Sequence, residues 1–323
     1  MRAMIITEAG LELRDVPTPR PGPDEVLVRV HAAGLNRAEL AMAAAQAHGS
    51  HGGAGAGIGL EWSGEVADIG ANVTEVKPGD RVMASGNGGY AEYAVTDRGR
   101  VSPVPDSNMG WVQAATLPIA LQTMHDALVT NGALQAGQAV LIQGASSGVG
   151  LMGLQIAREL GAATILGGSR NPAHRERLPA FGATGVVDTA DDGWPRAVLD
   201  ATGGEGVDLV VDMVSAPVSR GNLQATRIKG RIVNVGRLGG QAGPFDFDLH
   251  AARRISYIGV TFRTRSVEEV REINRRMRAE LWPALEAGRL TLPVDRTFPL
   301  EEASLALEHM RENRHLGKIV LTV

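Results

Sequence analysis

Gln138-Ala139-Val140-Leu141-Ile142-Gln143-Gly144-Ala145-Ser146-Ser147-Gly148-Val149-Gly150 is the stretch that decides the fold. An apolar run passes straight into a small-residue loop, and the loop opens an apolar-periodic segment, Leu151 to Leu160. Strand, glycine turn, helix is the order that sets a pyrophosphate at a helix N-terminus. There the unpaired backbone N–H groups and the positive end of the helix dipole favour an anion. Small residues serve this because side chains would hold phosphates off the backbone. The stretch therefore points to dinucleotide binding, with Ser146, Ser147, Gly148 and Val149 as the predicted phosphate contacts. Against the G-x-G-x-x-G template it places Ala145, Ser147 and Gly150, so only the last position is glycine. A tight strand-to-helix turn with no ligand is the competing reading.

Outward from this stretch, residues 117 to 257 alternate strand and helix patterns. Strands are predicted at Ala139–Gln143, Thr164–Leu166, Val186–Asp188, Val207–Val211, Arg231–Val235 and Ile255–Val260. Such alternation predicts a doubly wound parallel sheet in an α/β fold. Residues 1 to 116 differ. Val26–Val30 and Gly64–Gly70 read as short strands, and Lys77-Pro78-Gly79-Asp80-Arg81-Val82 as a turn entering another, the pattern of a small antiparallel barrel. After 257 the pattern is mixed. Arg271–Ala287 and Leu300–Arg311 are amphipathic helix candidates, and Lys318–Val323 is a closing strand. This segment is read as returning to complete the first domain. The predicted domains are thus 1–116 with 258–323, and 117–257. Residues 41–59 run alanine-rich and then glycine-rich, and a mobile loop is expected there.

Composition narrows the classes. A length of 323 residues suits two domains, and a net charge of −4 gives no basic footprint for nucleic acid. The absence of cysteine excludes disulfides, iron–sulfur clusters and thiolate zinc sites. No apolar run approaches the ~20 residues that span a bilayer. Met1–Ile6 reads as a strand rather than a secretory leader, so a cytoplasmic protein without membrane partners is expected.

Several motifs, in order along almost the whole chain, resemble the medium-chain dehydrogenase/reductase superfamily and specifically its zinc-free quinone oxidoreductase branch. They are Ala33-Gly34-Leu35-Asn36-Arg37-Ala38-Glu39, Gly59-Leu60-Glu61-Trp62-Ser63-Gly64-Glu65-Val66, Lys77–Val82, Gly88-Gly89-Tyr90-Ala91-Glu92-Tyr93-Ala94, Gly144–Gly150 and Gly317-Lys318-Ile319-Val320-Leu321. The resemblance implies a split GroES-like catalytic domain around a Rossmann-type cofactor domain, assembled as a homodimer or homotetramer, with the homodimer expected. Zinc-dependent relatives carry a cysteine at or near Asn36 and a histidine where Leu60 stands. No metal is expected. His48 and His51 are three apart, but two imidazoles in a glycine loop supply too few ligands.

For the cofactor, NAD-specific sites place a carboxylate at the end of the second strand, on the ribose 2′-OH. Here that strand ends Thr164-Ile165-Leu166-Gly167-Gly168-Ser169-Arg170, with no carboxylate. Gly168, Ser169 and Arg170 suit a 2′-phosphate, so NADPH is the expected cofactor. His174 stands where the family often has lysine, and Arg175 follows. A solvated basic turn is the alternative. By resemblance, Thr123 lies near the nicotinamide ribose, Phe262 and Arg263 bracket the nicotinamide, and Arg314 lies near the cofactor. A helix-interior threonine, and an ion pair of Arg314 with Glu61, are the alternatives. Gly236 ends a strand at the carboxyl edge, where cofactors bind in such sheets.

Hydride transfer without a metal leaves polar side chains and backbone N–H groups to stabilise the developing oxyanion. This favours acceptors that are already electron-poor, namely quinones or conjugated enones. Asn36 is the first candidate to hold the acceptor oxygen, with a turn-capping amide as the alternative. Glu39 stands where the family often has aspartate. Tyr90 is a candidate proton donor or a core tyrosine. Relatives carry a pocket tyrosine where this chain has its alanine- and glycine-rich loop, so the pocket wall is expected to be open, mobile or supplied by other residues. The expected function is an NADPH-dependent quinone or enone reductase acting on a small molecule. A 2-enoyl thioester reductase and a non-catalytic NADPH-binding protein are the alternatives.

Overall fold

A computed structural model describes residues 1–44, 53–105 and 109–323. His48, His51 and residues 46–52 of the glycine-rich segment lie outside the described residues. Contacts along the chain divide it into two units, Met1–Ile119 with Phe262–Val323, and Ala120–Thr261.

In the first unit, β1 (Arg2–Thr7) and β2 (Gly10–Asp15) form an antiparallel pair. The main sheet is built from β3 (Glu25–Gly34), β4 (Glu61–Ile69), β5 (Arg81–Ser85), β6 (Tyr93–Asp97) and β7 (Val101–Pro103). Two further strands of this sheet come from the end of the chain. Alternation decides the faces of β3: Val26, Val28 and Val30 are buried against Trp62, Val82 and Ile319, while Arg29 is exposed. Register shifts between Leu27 and Val28 and between Val30 and Ala32 bend β3, which lets it pair with β4 along its length and with β6 at its start.

In the second unit every strand pair is parallel. The strands are β8 (Ala139–Gln143), β9 (Thr164–Ser169), β10 (Gly185–Asp188), β11 (Val207–Asp212), β12 (Thr226–Asn234) and β13 (Ser256–Gly259). They lie in the order β10-β9-β8-β11-β12-β13, so the direction of winding reverses between β8 and β11. A sheet covered on both faces needs continuous apolar strands, and Val140, Leu141, Ile142, Val210 and Val211 are all fully buried. β9 runs on past Leu166 because Gly167 and Gly168 keep their pairing with both β8 and β10.

The returning segment contributes β14 (Val294–Pro299) and β15 (Lys318–Thr322) to the first unit, and β15 pairs antiparallel with Ala32–Gly34 of β3. Ahead of β14 the helix Val267–Glu286 begins four residues before the predicted Arg271. Ser266 and Glu269 form a capping box that fixes its first turn. A single 3₁₀ turn, Leu300–Glu302, precedes the helix Ala303–Arg311. Among the described residues, no helix is long and apolar enough to cross a membrane.

The turn from β8 into the helix Gly148–Glu159 depends on close backbone approach. A Cβ on Gly150 would stand 2.5 Å from Gly144 O and 2.7 Å from Ala145 Cα, atoms that no rotamer can move. Gly150→Ala is therefore expected to cost about 1–3 kcal/mol, as overpacking does. The drop in thermal midpoint measures it, and an unchanged midpoint would show that the turn has slack.

Candidate functional site

The second unit supplies an anion-binding turn. Ser147 caps the helix Gly148–Glu159: its Oγ accepts from Gly150 N at 3.1 Å and donates to Gly144 O at 2.9 Å. Gly144 makes the preceding turn at φ +71°. Among the described residues, the N–H groups of Gly148 and Val149 meet no protein acceptor, as first-turn donors of a helix do. The fixed serine and the open amides are what a pyrophosphate needs. Ser146, in the loop after β8, and Ser169, the last residue of β9, touch through their hydroxyls at 3.3 Å. Ser169 is buried and Arg170 is exposed, and among the described residues Arg170 has no partner. His174 lies in the turn that Asn171 caps. Gly236, just past β12, accepts the Ser215 hydroxyl on its carbonyl at 2.7 Å. Thr123 lies in the helix Pro118–His125, half-buried. The cradle fits a dinucleotide.

The first unit holds a buried polar cluster. Lys318, on β15, projects inward and donates to Leu35 O at 2.6 Å, Asn36 Oδ1 at 3.1 Å and Glu61 Oε1 at 2.5 Å. Its three ammonium protons thus have three acceptors. Glu61, on β4, also accepts Asn36 Nδ2 at 3.0 Å and, through Oε2, Ile119 N at 2.8 Å. Space for this carboxylate exists because Gly34 has no side chain: a Cβ there would lie 2.8 Å from Glu61 Oε1. Glu39 accepts Asn36 N at 2.7 Å, Leu60 N at 2.8 Å and the Tyr90 hydroxyl. Asn36 therefore lies between two carboxylates, its backbone N–H on Glu39 and its amide on Glu61.

Residues 22–106 match the alcohol dehydrogenase GroES-like domain, and residues 181–321 match the zinc-binding dehydrogenase domain. The chain is 30% identical over 330 residues to quinone oxidoreductase of Homo sapiens, a match that covers 99% of this chain and 97% of that protein. It is 34% identical over 269 residues to polyketide synthase GfsB of Streptomyces halstedii, covering 82% of this chain but 4% of the synthase, so the chain spans a small part of that relative. A mycobacterial protein solved in complex with NADPH shares the fold at a TM-score of 0.88 and 27% identity, with all of both chains covered.

The chain belongs to the medium-chain dehydrogenase/reductase superfamily, in its zinc-free quinone oxidoreductase branch. Its Rossmann-type sheet is the nicotinamide-cofactor fold of that superfamily.

Within this medium-chain reductase, Asn36, Glu39 and Tyr90 come together, whereas Arg314 stands apart. Arg314 is exposed, with Glu312 Oε2 at 2.5 Å from its guanidinium. The suggested ion pair of Arg314 with Glu61 is corrected: the cation on Glu61 is Lys318. Phe262 and Arg263 open the returning segment, where Phe262 lies under the Arg265 guanidinium at 5.7 Å. Lys318 is the cluster residue that the sequence reading missed. The signal was present, since Lys318 opens an otherwise wholly apolar run, Ile319-Val320-Leu321.

Burial pushes the Glu39 carboxyl up to about 7, against the pull of Tyr90, the Asn36 and Leu60 amides and Lys318. The Tyr90 hydroxyl is raised well above its usual value by the same burial and by the Glu39 charge. Two outcomes follow from these contacts. Lys318→Met would leave Glu61 buried without its cation and is expected to cost about 3–5 kcal/mol in denaturant unfolding, part of it regained by Glu61→Gln in the same chain. A loss below about 1 kcal/mol would show that water reaches Glu61. For Glu39 the sign is the reverse of an ordinary paired acid. Between pH 4.5 and about 7 the unfolded chain releases a proton that the folded chain keeps, so stability falls as pH rises. The unfolding free energy of the native protein minus that of Glu39→Gln should drop by about 3 kcal/mol across that window. A flat difference would mean that Glu39 is ionised throughout.

Proposed function

We propose that the protein is an NADPH-dependent, zinc-independent reductase of quinones or conjugated enones. The observation that carries the cofactor choice is the end of β9, where Ser169 closes the strand and Arg170 follows, exposed and without a partner among the described residues, with no carboxylate in that stretch. A 2′-phosphate gains charge-assisted hydrogen bonds there, whereas a 2′-hydroxyl finds no acidic acceptor. The expected pyrophosphate contacts are Ser146, Ser147, Gly148 and Val149. Thr123, Gly168, His174, Gly236, Phe262, Arg263 and Arg314 are proposed as further contacts.

When bound, the nicotinamide supplies a hydride. With an enone as acceptor, reduction would build negative charge on the carbonyl oxygen, and this chain's own polar groups would have to hold that charge until a proton from water neutralises it. The residue proposed to hold that oxygen is Asn36. One of its Nδ2 protons lies on Glu61 at 3.0 Å, and the second faces Gly34 O at 3.3 Å. The longer bond is the one an acceptor oxygen would take over. Glu39 fixes the Asn36 backbone and Tyr90 holds Glu39, which places both as supports of Asn36. Zinc does not suit this cluster. Leu60 offers no ligand, and the Lys318 ammonium, at 2.5 Å from Glu61, would oppose a dication.

Two further readings stand beside this one. The homodimer is supported by β13, an edge strand of its sheet, with Tyr257 and Phe247 exposed nearby. A second substrate class, enoyl thioesters, is supported by the likeness to a solved enoyl reductase, CurK, at a TM-score of 0.88 and 26% identity.

Titration with NADPH and with NADH, followed by reduced-cofactor fluorescence, tests the proposal. NADPH is expected to bind at least about tenfold more tightly, the worth of one charge-assisted contact, and to be oxidised by a simple quinone. Equal affinity would overturn the phosphate site. Quinone turnover that an enoyl-CoA suppresses competitively would favour the thioester class, and binding without turnover of either class would overturn the enzymatic reading.

A further inference from the structure

Arg175 is the most enclosed cation near the end of β9, with only 16% of its side chain exposed, yet it does not present its charge to solvent. One guanidinium nitrogen donates to the main-chain carbonyl of Ser169 at 2.9 Å, and the other to Asp188 Oδ2 at 2.7 Å. Asp188 ends β10 and pairs in register with Ser169 across the two parallel strands. A carboxylate therefore lies one strand away from the proposed 2′-phosphate site, and Arg175 is what neutralises it. The other Asp188 oxygen accepts Ala190 N at 3.0 Å, which holds the carboxylate in place. Arg170, by contrast, is exposed and among the described residues has no partner.

We propose that Arg175 and Asp188 form a clasp that sets the preference of this site for a phosphorylated dinucleotide. Arg175 acts as a positioning residue in two ways. It anchors the carbonyl of Ser169, so that the Ser169 hydroxyl and the following Arg170 leave the strand in one direction. It also cancels the Asp188 charge, which alone would repel a dianionic phosphate. Asp188 is thereby the reason Arg175 is needed: an acid near this strand end is the feature that disfavours phosphate, and here it is masked rather than missing. The inference rests on the NADPH reading above.

The test is a cycle of Arg175→Met, Asp188→Asn and the double variant, with NADPH and NADH dissociation constants measured at low and at high salt. Arg175→Met is expected to weaken NADPH about tenfold while NADH moves less than twofold. It exposes Asp188 to the phosphate, and the effect should shrink at high salt. Asp188→Asn frees Arg175 and is expected to raise the NADPH-to-NADH preference. The double variant should regain most of the NADPH affinity lost in Arg175→Met. The split between the two nucleotides is a readout that a merely structural role would not move. A native protein that binds both equally overturns the cofactor reading and the clasp with it. A native preference that survives in Arg175→Met, or an equal loss for both nucleotides, overturns the clasp alone. If Arg175→Met does not fold, Asp188→Asn still decides, since an unchanged preference in that variant refutes the masking of Asp188.

Discussion

The first unit depends on a buried ion pair that joins the two ends of its chain. Lys318 comes from the closing strand and Glu61 from β4, and between them lies the Asn36 amide. Removing two charges from water is costly, and their attraction compensates only when every remaining hydrogen-bonding position is filled. Here the ammonium has three acceptors, and both carboxylate oxygens of Glu61 have donors. The pair thus fixes where the returning segment docks: β15 can slide along β3 only by stranding a charge. Generic apolar packing of Ile319 and Leu321 would tolerate such a slip far better, because hydrophobic contact is not directional.

Much of this fold was legible because it follows periodic patterns. The bounds Ala139–Gln143 emerge directly from an apolar run between a polar residue and a glycine. Elsewhere the local signal was outweighed. β12 begins at Thr226, ahead of the predicted Arg231, although Lys229 adopts φ +64°. Pairing with β11 resumes beyond a register shift, so tertiary pairing overrode local propensity there. For the candidate site, the motif residues could be named but their partners could not. Arg314 and Lys318 are four apart, both cationic, and only the fold distinguishes the exposed one from the buried one. A strand lysine ordinarily points to water, and only the carboxylate awaiting it on β4 reverses that expectation.

The second unit divides its work differently. Its sheet places the ends of β8, β9 and β12 on one edge, so residues nearly a hundred positions apart, Ser146 and Gly236, follow strands that end at the same side. In the proposed reading, affinity for a pyrophosphate would come from backbone groups that no side-chain change can remove, the amides of Gly148 and Val149, and discrimination would be left to Ser169 and the side chains that follow β9. A backbone cradle with a separately adjustable basic turn allows one fold to hold either nicotinamide, with the choice made by a few charges.

Charge accounting in the polar cluster gives the last step. With Glu39 and Glu61 both ionised and one lysine present, the buried cluster would carry a net negative charge. The raised Glu39 carboxyl relieves this, because a proton held to about pH 7 leaves one anion for one cation. Three donors, from Asn36, Leu60 and Tyr90, pull the other way and keep ionisation within reach. Glu39 is thus balanced between burial, which favours the proton, and its donors, which favour the charge. The Asn36 N–H is one of the donors in that balance, so the group that holds the Asn36 backbone is the same one that burial pushes towards its protonated form.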